Sequence, residues 1–242
     1  MKRIGVVFAM EREAKATLSD PLFGWRDCGT DLWESSRFPA RLVLSGIGKV
    51  FASWALARLA ATSDLVVSVG TSGGLTVDAG GTYLVRDFVE YDMDASGLGF
   101  PRGQTPYSAM TQAIISAIGP ETFGVARRAA LSVAPGTKIV RAASGDRFLS
   151  DPLAASRLNQ ETGAEIVDME SAALAKLCML KARNDDGAPL EFLAFRAVSD
   201  KADQEAARSF ESLVDAQGLL FARFLGELCI LLSGSAEERA HK

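Results

Sequence analysis

Three observations predict an α/β fold with a central mixed, twisted sheet flanked by helices. Apolar runs of strand length alternate along the chain with longer stretches at helical spacing. Several of those runs end in glycine-rich or acidic turns, where ligands bind in open α/β sheets. No linker, internal repeat or charge block interrupts the 242 residues. Residues 1–242 are therefore read as a single domain, with the tail 233–242 expected to fray. A hydrophobic share of 48% supplies a substantial core.

The elements follow in order. Residues 3–10 form a buried strand, and residues 11–18 start a helix. DLWESSRF (31–38) alternates like an edge strand. ARLVLSG (40–46) is a strand running into glycines, and 50–61 is a helix with Phe51, Trp54, Ala55 and Leu59 at helical spacing. DLVVSVGTSGGL (64–75) is a buried strand broken by a glycine-rich turn. TYLVRDFVEYDMD (82–94) is a strand that bends. Residues 107–118 and 151–160 read as helices, while VARRAALSV (125–133) and KIVRAAS (138–144) read as strand material. AEIVDM (164–169) leads into a helix at 171–182, and LEFLAFRAVS (190–199) is the last strand. Residues 208–232 form a long amphipathic helix with Phe210, Leu213, Leu220, Phe221, Phe224 and Leu228 available for one face.

Composition narrows the function. The net charge is −4 and no dense basic run occurs, which argues against a nucleic-acid partner. Apolar stretches are short and interrupted by charge, so no membrane partner is expected. Cys28, Cys178 and Cys229 are scattered, without a CxxC or Cys/His cluster, so neither a disulfide framework nor a metal site is indicated. The opening MKRIGVVFAMERE imitates a signal peptide, but Glu11 and Glu13 follow the apolar run at once and no small-residue cleavage site is present. A reducing, cytoplasmic location is the expectation.

Three acids sit just past strand-like runs: Glu13, Glu170 and Asp200. The only histidine is His241, so acid–base chemistry falls to carboxyls. Each acid has an ordinary reading, since helix starts favour acids through the dipole and Asp is a common N-cap. The sharper readings are distinct. Glu170 has the lone-pair sites to accept two vicinal hydroxyls. Asp200, at the mouth of an apolar strand, suits a general acid with a raised pKa. SGIGKV (45–50) fails as a Walker loop because Val43 and Val50 stand where Gly and Ser/Thr are needed, and as a dinucleotide fingerprint because position 51 is Phe51. Its ordinary reading is a tight strand-to-helix turn, which does not by itself exclude a ligand-binding turn. GTSGG (70–74) is either a turn or a backbone cradle for an anion or hydroxyl.

The order of the motifs carries more than any one of them. FAMEREA, SGIGKV, VGTSGGL, YDMD with GFPRGQ, SGDRFL, VDMESAA and FRAVSDKAD run from about residue 3 to 210. This series resembles the nucleoside phosphorylase/hydrolase superfamily, and within it the bacterial methylthioadenosine/S-adenosylhomocysteine nucleosidases. The resemblance implies a nucleoside phosphorylase-like fold, a homodimer, a nucleoside substrate and no cofactor. It implies that Glu13 activates the attacking water and that Asp200 donates to purine N7. Glu170, preceded by Met169, would hold the ribose hydroxyls, with Thr71 near the ribose and the water. Arg196 and Ser199 would position the water and Asp200. Phe148 would stack on adenine, the backbone of Leu149 would read the base edge, and Met10, Ile47 and Phe210 would surround the 5′ substituent.

The chemistry fits those residue types. Cleaving an N-glycosidic bond needs an acid for the leaving base and a base for water, the logic of inverting glycosidases. Some positions depart from the family pattern: Ser68-Val69 replaces Asn-Thr, Tyr91 stands where a relative has histidine, Leu98 replaces an aromatic residue and Ser171 replaces Ala or Gly. The alternatives are a futalosine-type or other adenosyl nucleosidase, a purine nucleoside phosphorylase, and a non-catalytic nucleoside-binding protein. Phosphorolysis needs cations around phosphate, and the uncharged Val67-Ser68-Val69 speaks against it. Asp200, able to pair with N7 and an amine donor, favours a 6-amino purine.

Overall fold

All five residues of strand β1 (Ile4–Phe8) are buried, with Val6 and Phe8 packed on one face of the sheet and Val7 on the other. This alternation with both faces covered is what turns a strand into a continuous apolar run. The computed structural model describes all residues except 109–111, 185–189, 204 and 241–242, and no side chains of 182–184, 207 or 235–240. His241 thus lies outside the described residues.

β1 pairs in parallel with β4 (Ala40–Leu44) on one edge and with the first half of β5 (Leu65–Gly74) on the other. Beyond β4 the sheet continues antiparallel through β3 (Leu32–Ser35) to β2 (Trp25–Asp27). β10 (Glu191–Asp200) runs parallel along β5, and β6 (Thr82–Glu90) lies antiparallel on the far edge of β10. β8 (Lys138–Ser144) pairs with β6, and β9 (Ile166–Asp168) with β8, both in parallel. β9 then pairs with Gly73 and Gly74 at the end of β5, so β5, β10, β6, β8 and β9 close into a ring. A Cβ at Gly74 would lie 2.3 Å from the Val77 carbonyl oxygen, which explains a glycine at this crowded closure.

Helices cover both faces. α1 (Glu11–Ser19), α3 (Pro120–Val133) and α6 (Ala206–Ala240) share one layer, where Phe195 of β10 stacks on Phe224 of α6 at 4.1 Å between ring centroids. α2 (Lys49–Leu59) and α5 (Ser171–Asn184) cover the other, burying Ala52, Ala55, Leu56, Leu59, Leu174 and Cys178. α4 (Pro152–Thr162) packs Ala155 and Leu158 against Val167 of β9. Residues 208–234 are long and apolar enough to cross a membrane, but half of the apolar window is buried inside the protein.

Several expectations are corrected. Within 107–118, Ile114–Ser116 form a short strand, β7, paired with β6, rather than a helix; residues 109–111 lie outside the described part. Short apolar runs do not declare their period, and β-branched isoleucines favour the pleat. Residues 125–133 belong to α3, not to a strand: Pro120 opens the helix and Phe123, Ala126 and Ala130 fall on its buried face. Residues 32–35 are interior, with β2 as the edge strand. GTSGG does not break β5, which pairs with β10 through Gly73. The bend in β6 is a register shift between Val85 and Asp87. Phe51 and Trp54 of α2 face outward, 58% and 67% exposed, while the neighbouring alanines and leucines pack inward.

Phe224→Ala removes a fully buried, stacked ring. It is expected to cost about 3–5 kcal/mol, read as a lower urea midpoint at unchanged m-value.

Candidate active site

The C-terminal ends of β5, β8, β9 and β10 converge on one cavity with the turn after β1. Beneath it lies a buried polar hub. Arg196 on β10 donates through Nε to Asp168 Oδ2 at 3.0 Å. Its Nη2 donates to Ser68 Oγ on β5 and to Ser171 Oγ at the start of α5, both at 2.8 Å. Ser144, which ends β8, donates to Asp168 Oδ1 at 2.6 Å, and the Ser171 hydroxyl donates to Asp168 Oδ2. Asp168 Oδ1 also accepts the N–H groups of Glu170 and Ser171, capping α5. Burial pushes the Asp168 carboxyl up, but the Arg196 charge and these donors outweigh it and hold it below its usual value.

The three strand-exit acids are anchored in three ways. Glu13, in the first turn of α1, accepts from Thr71 N at 2.7 Å and Thr71 Oγ1 at 2.8 Å, both on Oε1. Its Oε2 has no protein partner among the described residues. A Cβ at Gly70 would stand 2.8 Å from Oε1, so the glycine makes room for the carboxylate. Burial raises the Glu13 pKa against the opposing pull of Thr71 and Arg196. Glu170 precedes α5 and accepts the Gly48 N–H on Oε1 at 2.8 Å. Burial, and then the charge of Asp168, push it up to about 7. Asp200 ends β10, just after a register shift against β5. Its Oδ2 lies 2.8 Å from Ser199 Oγ and its Oδ1 accepts Ala202 N–H at 2.9 Å. Burial raises its pKa as well.

The structure brings every candidate residue to this cavity. Met10, Ile47 and Phe210 supply an apolar side, and Phe148, half exposed, and Leu149, buried, come from the turn after β8. Met169 and Thr71 line the wall between them, as do Arg196 and Ser199. One expected contact is absent among the described residues: Arg196 bonds to Asp168, Ser68 and Ser171 and makes no hydrogen bond to Asp200. Residues not singled out as site residues from sequence are Asp168, Ser68, Ser144 and Gly48. The Asp168-x-Glu170 spacing was a signal for the first of them, because alternate strand residues share a face. The serines come from separate strands and carry no local signal. Among the described residues, no group of three or more His, Cys, Asp or Glu side chains is placed to hold a metal ion.

The family model described as the phosphorylase superfamily matches residues 3–229. The chain belongs to the phosphorylase superfamily. A 5′-methylthioadenosine/S-adenosylhomocysteine nucleosidase of Marinomonas sp. (strain MWYL1) is 31% identical over 226 residues, covering 87% of this chain and 91% of the relative. The crystal structure of the Neisseria meningitidis 5′-methylthioadenosine/S-adenosylhomocysteine nucleosidase in complex with methylthio-immucillin-A superposes with a TM-score of 0.82 at 26% identity, over 94% of this chain and 98% of that one. A futalosine hydrolase mutant of Helicobacter pylori has the same fold, with a TM-score of 0.81 at 24% identity over 94% and 98% of the two chains. The α/β architecture of this phosphorylase-superfamily member is therefore that of the nucleoside phosphorylase-like fold.

The raised pKa of Glu170 has a stability consequence with a definite sign. The folded protein binds this proton more tightly than the unfolded chain does, so the contribution is fully present below about 4.5 and is lost as pH rises through about 7. Glu170→Gln removes the charged, buried form. The melting temperature of the variant is expected to exceed wild type by more at pH 8 than at pH 5, and a pH-independent difference would refute the burial cost.

Proposed function

We infer that the protein hydrolyses the N-glycosidic bond of 5′-substituted adenosines, such as methylthioadenosine and S-adenosylhomocysteine, to release adenine. The observation that carries this reading is the pairing, in one cavity, of two buried carboxyls with raised pKa and different anchoring. Glu13 has one oxygen held by Thr71 and the other without a hydrogen-bond partner among the described residues, the arrangement of a base that takes a proton from water. Asp200 is oriented by Ser199 and by the Ala202 N–H, and its raised pKa suits donation to purine N7. Between them in role stands Glu170, whose Oε1 is fixed by Gly48 and whose carboxylate form accepts the ribose hydroxyls. Phe148 offers a ring for stacking on adenine, and Met10, Ile47 and Phe210 favour an apolar 5′ tail.

Phosphorolysis fits less well. Of the two arginines lining the cavity, Arg196 is committed to Asp168, and Arg147 lies exposed beside Phe148. The acids around them disfavour a phosphate dianion. A futalosine-type substrate is the second reading. The three cysteines are unpaired, in keeping with a reducing, cytoplasmic setting.

A homodimer is part of the proposal. Val50, Phe51 and Trp54 on the outer side of α2 are 77%, 58% and 67% exposed, and Ile47, half exposed, joins them to the cavity mouth. Exposed apolar groups of this size in one patch mark an association surface.

Two measurements test these readings. Asp200→Asn and Glu13→Gln are each expected to slow adenine release roughly 10²–10⁴-fold with folding retained, and release in wild type should not depend on added phosphate. Near-normal turnover in Asp200→Asn would sink its role as the acid. Trp54→Asp should shift the sedimenting species from dimer to monomer; an unchanged profile would remove α2 from the interface.

A further inference from the structure

Helix α2 is capped from outside its own segment. Gly48, the residue before it, has φ of 100° and no side chain to serve as a cap. Its N–H goes to Glu170 Oε1 at 2.8 Å, and the next N–H, that of Lys49, goes to Asp146 Oδ1 at 2.8 Å. Asp146 lies in the turn after β8, two residues before Phe148. One helix terminus therefore holds a carboxylate from the sugar side of the cavity and a carboxylate from the base side, side by side. Both are favoured by the positive end of the helix.

Asp146 is itself fixed. Its N–H donates to Asp92 Oδ2 at 2.9 Å, and Asp92 Oδ1 accepts Lys49 Nζ at 2.7 Å. Lys49 Nζ also donates to Glu90 Oε1 at 2.8 Å, and the other oxygen of Glu90 is held by Lys176 of α5. α5 is the helix that starts immediately after Glu170, so the circuit returns to its origin. A Cβ at position 48 would come within 3.0 Å of Asp146 Oδ1, which shows how closely the cap is seated.

We propose that Asp146 is a positioning residue that holds the Phe148 turn in register with Glu170, fixing the spacing between the base and sugar subsites. The proposal rests on the nucleoside reading of the cavity. A nucleoside joins base and sugar covalently and needs both subsites at the right separation. Free adenine needs only one. Loss of register therefore weakens the joined ligand selectively, because linkage helps only when the geometry allows both halves to engage. General destabilisation does not separate the two ligands in this way.

The test is calorimetric titration of adenine and of an uncleavable C-nucleoside analogue of adenosine into wild type, Asp146→Ala and Asp146→Asn. In Asp146→Ala the C-nucleoside should bind roughly tenfold more weakly, as expected for a lost cap, with adenine changed by no more than about twofold. Asp146→Asn keeps an acceptor oxygen for Lys49 N–H and should recover most of that loss. Asp92→Ala, which frees the Asp146 N–H but leaves the cap in place, should show the same selective loss to a smaller degree, and it carries the test if Asp146→Ala does not fold. Equal weakening of both ligands, or no weakening, overturns the positioning role alone. Failure of wild type to bind either ligand would remove the nucleoside reading and this inference with it.

Discussion

Asp168 and Arg196 form a buried ion pair that ties four strands together. Ser68 comes from β5, Ser144 from β8, Asp168 from β9 and Arg196 from β10, and Ser171 brings in the start of α5. Both charged side chains are only 2% exposed. A buried pair of this kind adds little net stability by itself, because desolvation offsets the attraction. It becomes tolerable when the remaining lone pairs and protons are satisfied, and here three hydroxyls and two backbone N–H groups supply the hydrogen bonds. Once formed, the pair is hard to dissolve piecemeal, since removing either partner strands the other charge. That all-or-none character fixes β5, β8, β9 and β10 to one another beneath the cavity.

The cavity inherits its electrostatics from this hub. Asp168 is ionised and lies two residues from Glu170, so its charge adds to burial in raising the Glu170 pKa to about 7. Arg196 exerts a smaller, opposite pull on Glu13 and Glu170. Because its guanidinium is already engaged by Asp168, the cavity wall is poor in free positive charge. The carboxyls are thus distinguished less by residue type than by what holds them: a strand N–H and a hydroxyl for Glu13, a helix-start N–H for Glu170, and a turn N–H with a serine for Asp200.

Legibility in the sequence followed the range of the interaction. Glu13, Glu170 and Asp200 were visible because each lies next to its own strand, and the strand exits of an α/β sheet point to one edge. β1, β4 and β10 were visible as apolar runs between turns. Residues 125–133 read as a strand because that window omits Pro120 and Phe123, which mark the start and the buried face of the helix. Its start is fixed by a distant group: Glu191 accepts the Gly119 N–H at 2.8 Å and the Thr122 hydroxyl at 2.7 Å. Ile114–Ser116 was misread because three residues are too few to show alternation, and their state is set by pairing with β6. The ring closure rests on Gly73 and Gly74 meeting Val167 and Ile166, a pairing about ninety residues apart with no local trace. Ser144 leaves no local trace either, and Ser68 and Ser171 stand out only as departures from the family pattern, with nothing local to join them to Asp168 and Arg196.

The hub also bears on the choice between water and phosphate as the attacking group. On the hydrolytic reading, the sugar acquires positive charge as the glycosidic bond breaks. In their ionised forms Glu13 and Glu170, with the buried arginine offset by Asp168, supply negative charge where that charge develops, while Asp200 carries the proton it donates. Groups fixed in place before reaction stabilise such charge without reorganising. The same charges oppose a phosphate dianion, which would have to enter beside a carboxylate at Glu13 with no uncommitted buried cation among the described residues to receive it. Asp168 keeps Arg196 paired, and Ser68, Ser144 and Ser171 complete the hydrogen bonding of that pair. On the hydrolytic reading the serines beneath the cavity therefore act through that pair, helping to keep occupied the one buried arginine among the described residues.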